Sequence, residues 1–348
     1  MSTEKSRDVM PVLQRRALRL AIGAAACLVV SYGLQWPIPF VAPVLAVFVF
    51  ASMERPLTVR AGVGLALVML LATGSGLLLV PFLREAPVSG VLMTGLCLFL
   101  AFRHGLRGGN MLVSTFLVAG VTLIAAAGSA DGALAVTVIG TLTRSLLLAV
   151  LMLGACHVLV REPHLSPASH RKAEPHEQAD WMALRATLVV MPPFLLAMAD
   201  PAAYLPIIMK AVSLGRQSCT TARGAARELV GSTLLGGLLA IAFWLALGLF
   251  VHLWMYGLWM ALFSLWIARR LFRLHATSMS PGFWLNSLVT MIILLGQSVE
   301  DSATGKDVYQ AFLVRMGLFV GVSLYACLML AVLDIRRTTV PDQEQLSR

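Results

Sequence analysis

The sequence predicts an all-α integral membrane protein with about twelve transmembrane helices. They form two parallel six-helix repeats, with both termini in the cytoplasm. Composition, the spacing of apolar runs, and a likeness between the two halves of the chain carry this expectation. Of 348 residues, 58% are hydrophobic and 13% charged, and mean hydropathy is +0.83. Soluble domains average roughly 45–50% apolar and about 25% charged residues, so this chain has too few charges to cover a water-facing surface. A formal charge of +10 would suggest a nucleic-acid partner in a soluble protein. Here it raises the question of which side of a bilayer holds the cations, and no nucleic acid is expected.

A helix crossing about 30 Å of hydrocarbon needs about 20 residues. Apolar runs fall at 17–34, 38–53, 59–82, 88–102, 110–127 and 134–160, then at 182–199, 203–217, 225–250, 253–268, 283–299 and 310–333. Residues 1–16 precede the first run as a cytoplasmic segment. No small-residue cleavage site follows that run, so it reads as a retained span rather than a signal peptide. Residues 161–181 form a polar cytoplasmic linker between repeats 17–160 and 182–335, and 336–348 form a cytoplasmic tail. The second and eighth runs are short, which leaves room for re-entrant segments. One helix over 229–268 would be about 60 Å long, twice the bilayer, so a tight hairpin is expected near 251–253.

Cations test the count independently. With the N-terminus inside, 22 of the 27 Lys and Arg fall in cytoplasmic segments or adjoining helix ends, as the positive-inside rule requires. Arg84 and Lys306 fall outside. Arg144, Lys210 and Arg315 fall within spans.

The repeat shows in scarce residues. At an offset of 163, Pro43 meets Pro206, Thr58 meets Thr221, Arg60 meets Arg223 and Gly74 meets Gly237. At an offset of 171, Arg144 meets Arg315, and Ala155-Cys156 meets Ala326-Cys327. An even number of spans per repeat makes the halves parallel, related by an axis along the membrane normal. A substrate path is expected near that axis.

Arg144 and Arg315 are the leading anion-binding candidates. A guanidinium within hydrocarbon needs a partner or a watery cavity, and its planar fork suits a carboxylate. The competing reading is snorkelling to the outer headgroups. Lys210 is a third anion candidate, with Val47 at its place in the first repeat. Arg60 and Arg223 are candidates for a charged cytoplasmic vestibule, or for plain topological anchors. Asp200 and Glu228 are the acids considered for proton coupling; an Arg227–Glu228 surface pair is the plainer reading of the latter. Pro43 and Pro206 mark expected helix breaks that would expose backbone to substrate, and Pro192-Pro193 interrupts the seventh run. Trp244, Trp254, Trp259 and Trp266 read as an interfacial belt or as a stacking wall for an aromatic substrate.

Five scattered cysteines without a CxxC pair give neither a disulfide framework nor a zinc site. The absence of GxxxxGK[ST], HExxH and GxSxG motifs argues against ATP hydrolysis and against an enzyme. No cofactor or metal is expected.

ALRLAIG (17–23), WPIPFVAPVLAVFVFAS (36–52) and ERPLTVRAGVGLALV (54–68) resemble the opening of the fusaric-acid-resistance (FUSC-like) and aromatic-acid-exporter superfamily. The closest likeness is to its compact bacterial inner-membrane branch of two six-helix halves. The resemblance implies an inner-membrane efflux component for aromatic or other organic acids. It also implies a periplasmic membrane-fusion protein and an outer-membrane channel as partners, and a possible homo-oligomer. Plant malate channels share the six-helix unit, as dimers around an arginine-lined pore. Larger exporters carry a sizeable cytoplasmic domain, where this chain has only a tether and a short tail. The expected function is therefore export of organic, aromatic carboxylate anions, with a proton gradient as energy source by elimination. A passive organic-anion channel and a non-transporting membrane subunit of a secretion complex are the alternatives.

Overall fold

The computed structural model describes residues 2–53, 59–160, 176–218 and 225–338. Every regular element among them is helical. The first half holds α1 (Ser2–Gly33), α2 (Val41–Ser52), α3 (residues 59–85), α4 (Pro87–Leu106), α5 (residues 111–130) and α6 (Gly132–Leu159). The second holds α7 (His176–Ala199), α8 (Pro201–Ser218), α9 (Ala225–Leu249), α10 (Leu253–Leu271), α11 (Pro281–Ala303) and α12 (Val308–Thr338). Among the described residues, nine of these twelve contain a stretch long and apolar enough to cross a membrane. Leu71, Leu92, Leu151, Leu238, Leu313 and Leu328 stand exposed on their outer surfaces. That is a surface for lipid rather than water. The chain is a multi-pass α-helical membrane protein.

The three helices outside that group are α2, α8 and α10. α2 has 12 residues, about 18 Å of helix, too short for the hydrocarbon. Nine of its residues from Val41 to Phe50 are buried, so protein rather than lipid surrounds it. The remaining bounds differ from the apolar runs mainly at helix ends. α1 begins at Ser2, far upstream of the first run, and α7 begins at His176 inside the expected linker. α9 and α10 are separated at residues 250–252, where the length of the apolar stretch demanded a turn.

Polar side chains punctuate the chain where helices start. Asn110 accepts from Leu112 N at the start of α5, Asp131 from Ala133 N at the start of α6, and Ser280 from Phe283 N at the start of α11. Each satisfies an amide that the helix cannot. Contacts between ends fix which of them share a face. Asp180 at the start of α7 binds Arg103 and Arg107 at the end of α4. Glu228 at the start of α9 accepts from the amide and hydroxyl of Ser280. These ends, with Arg269 and Arg270 at the end of α10, form a basic face. On the opposite face, Arg84 at the end of α3 donates to the Gly128 and Ser129 carbonyls that close α5, a cation at a helix C-terminus.

Packing follows one plan twice. In the first half α1 packs on α2 and α6, α2 on α6, α3 on α4, α5 and α6, and α5 on α4 and α6. In the second, α7 packs on α8 and α12, α8 on α12, α9 on α10, α11 and α12, and α11 on α10 and α12. Most contacts between the halves are also exchanged in pairs: α1 with α10 is matched by α7 with α4, and α2 with α11 by α8 with α5, while α5 also packs on α7.

Two crossings need glycine. A Cβ on Gly76 would stand 2.0 Å from the Gly120 carbonyl oxygen where α3 meets α5, and one on Gly236 2.7 Å from the Ser287 carbonyl oxygen where α9 meets α11. Backbones can approach this closely only without side chains. At the first crossing both helices leave α geometry, α3 through a 3-10 stretch at Ser75–Leu79 and α5 through a π-helical turn at Gly120–Ile124.

The expected proline breaks are corrected. Pro43 lies in the first turn of α2, where an amide would have no helical partner anyway. α8 runs on through Pro206, and α7 through Pro192 and Pro193. Pro192 removes the amide that would bond the Leu188 carbonyl, and the Tyr325 hydroxyl of α12 donates to that oxygen at 3.0 Å instead. A neighbouring helix thus replaces the lost bond and the helix stays whole. The irregular backbone lies at the glycine crossing, not at the prolines.

Candidate functional site

The helix pairs exchanged between the halves, α2 with α11 and α8 with α5, enclose a narrow cavity. Its volume is about 50 Å³, and its walls include Val44, Leu45 and Phe48 of α2, Phe116 and Leu123 of α5, Met209 and Val212 of α8, and Val289 and Ile293 of α11. Leu123 belongs to the π-helical turn, a local geometry frequent at functional sites. Three polar residues stand out in an otherwise apolar wall, Thr115 of α5 and Ser213 and Arg216 of α8. The Arg216 guanidinium lies 4.9 Å from the Phe48 ring centroid, a cation–π contact across the two halves. The cavity therefore offers an apolar slot with a cation at its basic-face end.

Ser213 connects this slot to a buried polar network. Its hydroxyl donates to Asn286 Oδ1 at 2.9 Å, and Lys210 Nζ donates to the same oxygen at 3.2 Å and to Thr290 Oγ1 at 2.7 Å. Asn286 Nδ2 donates to Ser232 Oγ at 2.6 Å. Lys210 is fully buried, and no ion pair is formed with it among the described residues. Each partner comes from α9 or α11 of the same half, so the network is a feature of the second repeat. Its place in the first repeat holds Val47, itself buried.

A second, wider cleft of about 610 Å³ opens on the opposite face. Asp200, Tyr204, Asp301, Lys306, Asp307, Gln310 and Arg315 line it. Arg315 binds Asp301 through both guanidinium nitrogens. The three carboxylates outnumber the two cations here, which is not an anion site.

The predicted residues therefore separate. Arg144 and Arg315 do not converge on one site. α6 packs on α1, α2, α3 and α5, whereas α12 packs on α7, α8, α9 and α11. Arg144 is exposed on the outer face of α6, and Arg315 is taken by Asp301. Sequence reading missed that partner because the eleventh run ended at residue 299, while the helix continues through Glu300 and Asp301 to Ala303. Lys210 does reach the inter-half site, through Ser213. Arg60 is exposed at the start of α3, and Arg223 lies outside the described residues. Asp200 lines the opposite-face cleft, and Glu228 holds the cap of α11. Trp254 is exposed, and Trp266 stacks under Arg270 with its ring centroid 3.7 Å from the guanidinium and near Trp284. These are interfacial positions, not a cavity wall. Arg216, the cation that faces the cavity, was counted in the sequence only as a topological marker.

These features define a polytopic helical membrane protein with a cation-bearing cavity between its halves. Residues 16–156 match a family described as proteins of unknown function, DUF2955. That stretch runs from within α1 to near the end of α6, the first of the two packing units. No curated protein and no solved structure matches the chain.

Proposed function

We propose that the chain is a transporter that exports organic carboxylates, aromatic ones included, across a bacterial inner membrane. In this reading all twelve helices are crossings or partial crossings of two parallel six-helix repeats, both termini are cytoplasmic, and the path runs between the repeats. The observation that carries it is the apolar slot with Arg216 at one end, lying among the helix pairs that the two halves exchange. The apolar walls suit an aromatic ring or alkyl body once the exchanged helix pairs part to widen the slot, with its carboxylate paired with Arg216 and reaching Ser213. The recurrence of the same eight helix pairings in each half supports the repeat. Lys210 stands behind Ser213, joined to it through the shared Asn286 oxygen. A narrow slot rather than a wide continuous opening favours a carrier over a channel. A proton gradient is the assigned energy source, and a membrane-fusion protein with an outer-membrane channel would carry substrate onward.

The test is transport by the purified chain in proteoliposomes, with 4-hydroxybenzoate against a neutral aromatic amide. Acid transport that exceeds the amide and falls in Arg216→Gln by at least tenfold is expected, about the loss of one charge-assisted contact of roughly 1.5–3 kcal/mol. Full activity in Arg216→Gln, with loss in Arg144→Ala, would move the site to the lipid-facing side of α6 and overturn this reading.

A further inference from the structure

At the opposite-face end of α11, buried polar atoms are left without hydrogen bonds. Trp259 Nε1 on α10, and Gln297 Oε1 and Glu300 Oε1 on α11, lack a partner, and Tyr32 Oη on α1 has only the Tyr256 hydroxyl beside it. Folded proteins leave few such atoms unmatched, because each has lost its water and gained nothing. Gln297 is 5% exposed, and Glu300 lies one turn further along the same face of α11. The rings of Tyr32 and Tyr256 meet edge to face at 5.1 Å, and Tyr256 is also buried. Glu300 is close enough to act electrostatically on both tyrosines. Its neighbour Asp301 is already occupied by Arg315. Glu300 is thus the carboxylate of this cluster with unused capacity. The cluster also bridges the halves, since Tyr32 belongs to the first and the other groups to the second.

We propose that Glu300 is a proton-binding site at the contact between the halves, and that the proton it takes up is exchanged for the exported carboxylate. The coupling rests on the transport reading above; the proton site itself does not. Two sets of partners fit two states. The ionised carboxylate accepts the Tyr32 hydroxyl, tying α1 to α11. The protonated acid has one O–H to donate, and Gln297 Oε1 on its own helix is an open acceptor, so Tyr32 is released. One proton added therefore exchanges a bond between the halves for one within a helix, a two-state element that binding can bias.

The groups that face Glu300 are Tyr32 from α1, Tyr256 from α10, Asp301 beside it and Arg315 from α12. Asp200, Tyr204, Lys306 and Asp307 line the cleft into which Asp301 opens. α2 has no titratable side chain, Lys210 of α8 is held at Asn286 and Thr290 further along α11, and Glu228 of α9 lies at the basic face.

Dicyclohexylcarbodiimide, which modifies protonated carboxyl groups in apolar surroundings, tests the site without any substrate. With the full chain in proteoliposomes, mass spectrometry should find the label on Glu300, less of it as pH rises and none in Glu300→Gln. Tyr32→Phe, which removes a donor to the ionised form, should move the labelling midpoint upward by about one pH unit. No label on Glu300 at any pH, or an unmoved midpoint in Tyr32→Phe, would overturn the proposal. Protection by sodium at constant pH would replace the proton with a metal cation and also overturn it. The coupling is read from 4-hydroxybenzoate accumulation driven by a pH gradient, which should fall in Glu300→Gln to the level of protein-free vesicles. Accumulation by wild type that persists in that variant refutes the coupling. A wild type that moves no acid, yet titrates at Glu300, refutes the transport reading and leaves the proton site standing.

Discussion

Lys210 places an amine among two side-chain oxygens and no carboxylate, in a fully buried position. Asn286 is what makes this tolerable, because its Oδ1 accepts from both Lys210 and Ser213 while its amide reaches Ser232. Removing one member of a satisfied buried network is worse than never having built it. Asn286→Leu should therefore destabilise the protein by about 3 kcal/mol, with Lys210 left short of an acceptor. Lys210→Met removes the amine together with its demand for acceptors, and its cost should be below about 1.5 kcal/mol. In the double variant most of the loss from Asn286→Leu should return, a coupling measurable from thermal unfolding in detergent of the four proteins. Additive losses would show that Asn286 acts through packing alone. The sequence announced Lys210 as an isolated cation in a span. It could not announce Asn286 or Thr290, ordinary polar residues that no pattern distinguishes from others in apolar runs.

Helices here keep their shape by borrowing from neighbours, and that can be checked. Tyr325 supplies the hydrogen bond that Pro192 denies to the Leu188 carbonyl, so Tyr325→Phe should cost about 1 kcal/mol. In a Pro192→Ala background the helix regains its own amide, and Tyr325→Phe should then cost close to nothing. The same cost in both backgrounds would sink the link. A stronger effect is expected at the α3–α5 crossing, where Gly76→Ala puts a methyl group against the Gly120 carbonyl and cannot be relieved by a rotamer change. Loss of well over 2 kcal/mol, seen as reduced folded yield and lower thermal midpoint, is the expected outcome.

Which elements exist was legible from the sequence, because an apolar run long enough to span is a strong signal and each of the twelve runs falls on a helix. Element ends were less legible. Charged residues ended the eleventh run at 299, yet Asp301 stays inside the helix because Arg315 neutralises it. Prolines were misleading for the converse reason, since a hydroxyl from another helix can replace what a proline removes. The candidate site was the least legible of all. Arg216 looked like an anchor at a helix end, and only packing against Phe48 from the other half turns it toward a cavity.

At the scale of the whole molecule, the duplicated pairing makes a prediction about autonomy. Each half satisfies the same eight internal contacts between its own helices, so each has the contacts needed to insert and pack as a six-helix unit. Yet the cavity takes its walls from both, and the cation at its end sits on α8 facing Phe48 of α2. The halves meet through α1 with α10, α4 with α7, α2 with α11 and α5 with α8, and Asp180 adds an ion pair to Arg103 and Arg107 on the basic face. Exposed pairs of this kind contribute about 0–1 kcal/mol, so apolar contact should hold the halves together without the covalent link. A chain cut between residues 165 and 170 and expressed as two fragments should co-purify and carry acid in proteoliposomes. Either fragment alone should insert but carry none. Asp180→Asn in the cut protein should leave co-purification intact and lower its thermal midpoint only slightly. If one fragment transports unaided, the path lies inside a single six-helix unit and the cavity between the halves is not the route. If the fragments insert but fail to associate, the linker contributes to assembly and the two repeats are less independent than their matched packing implies.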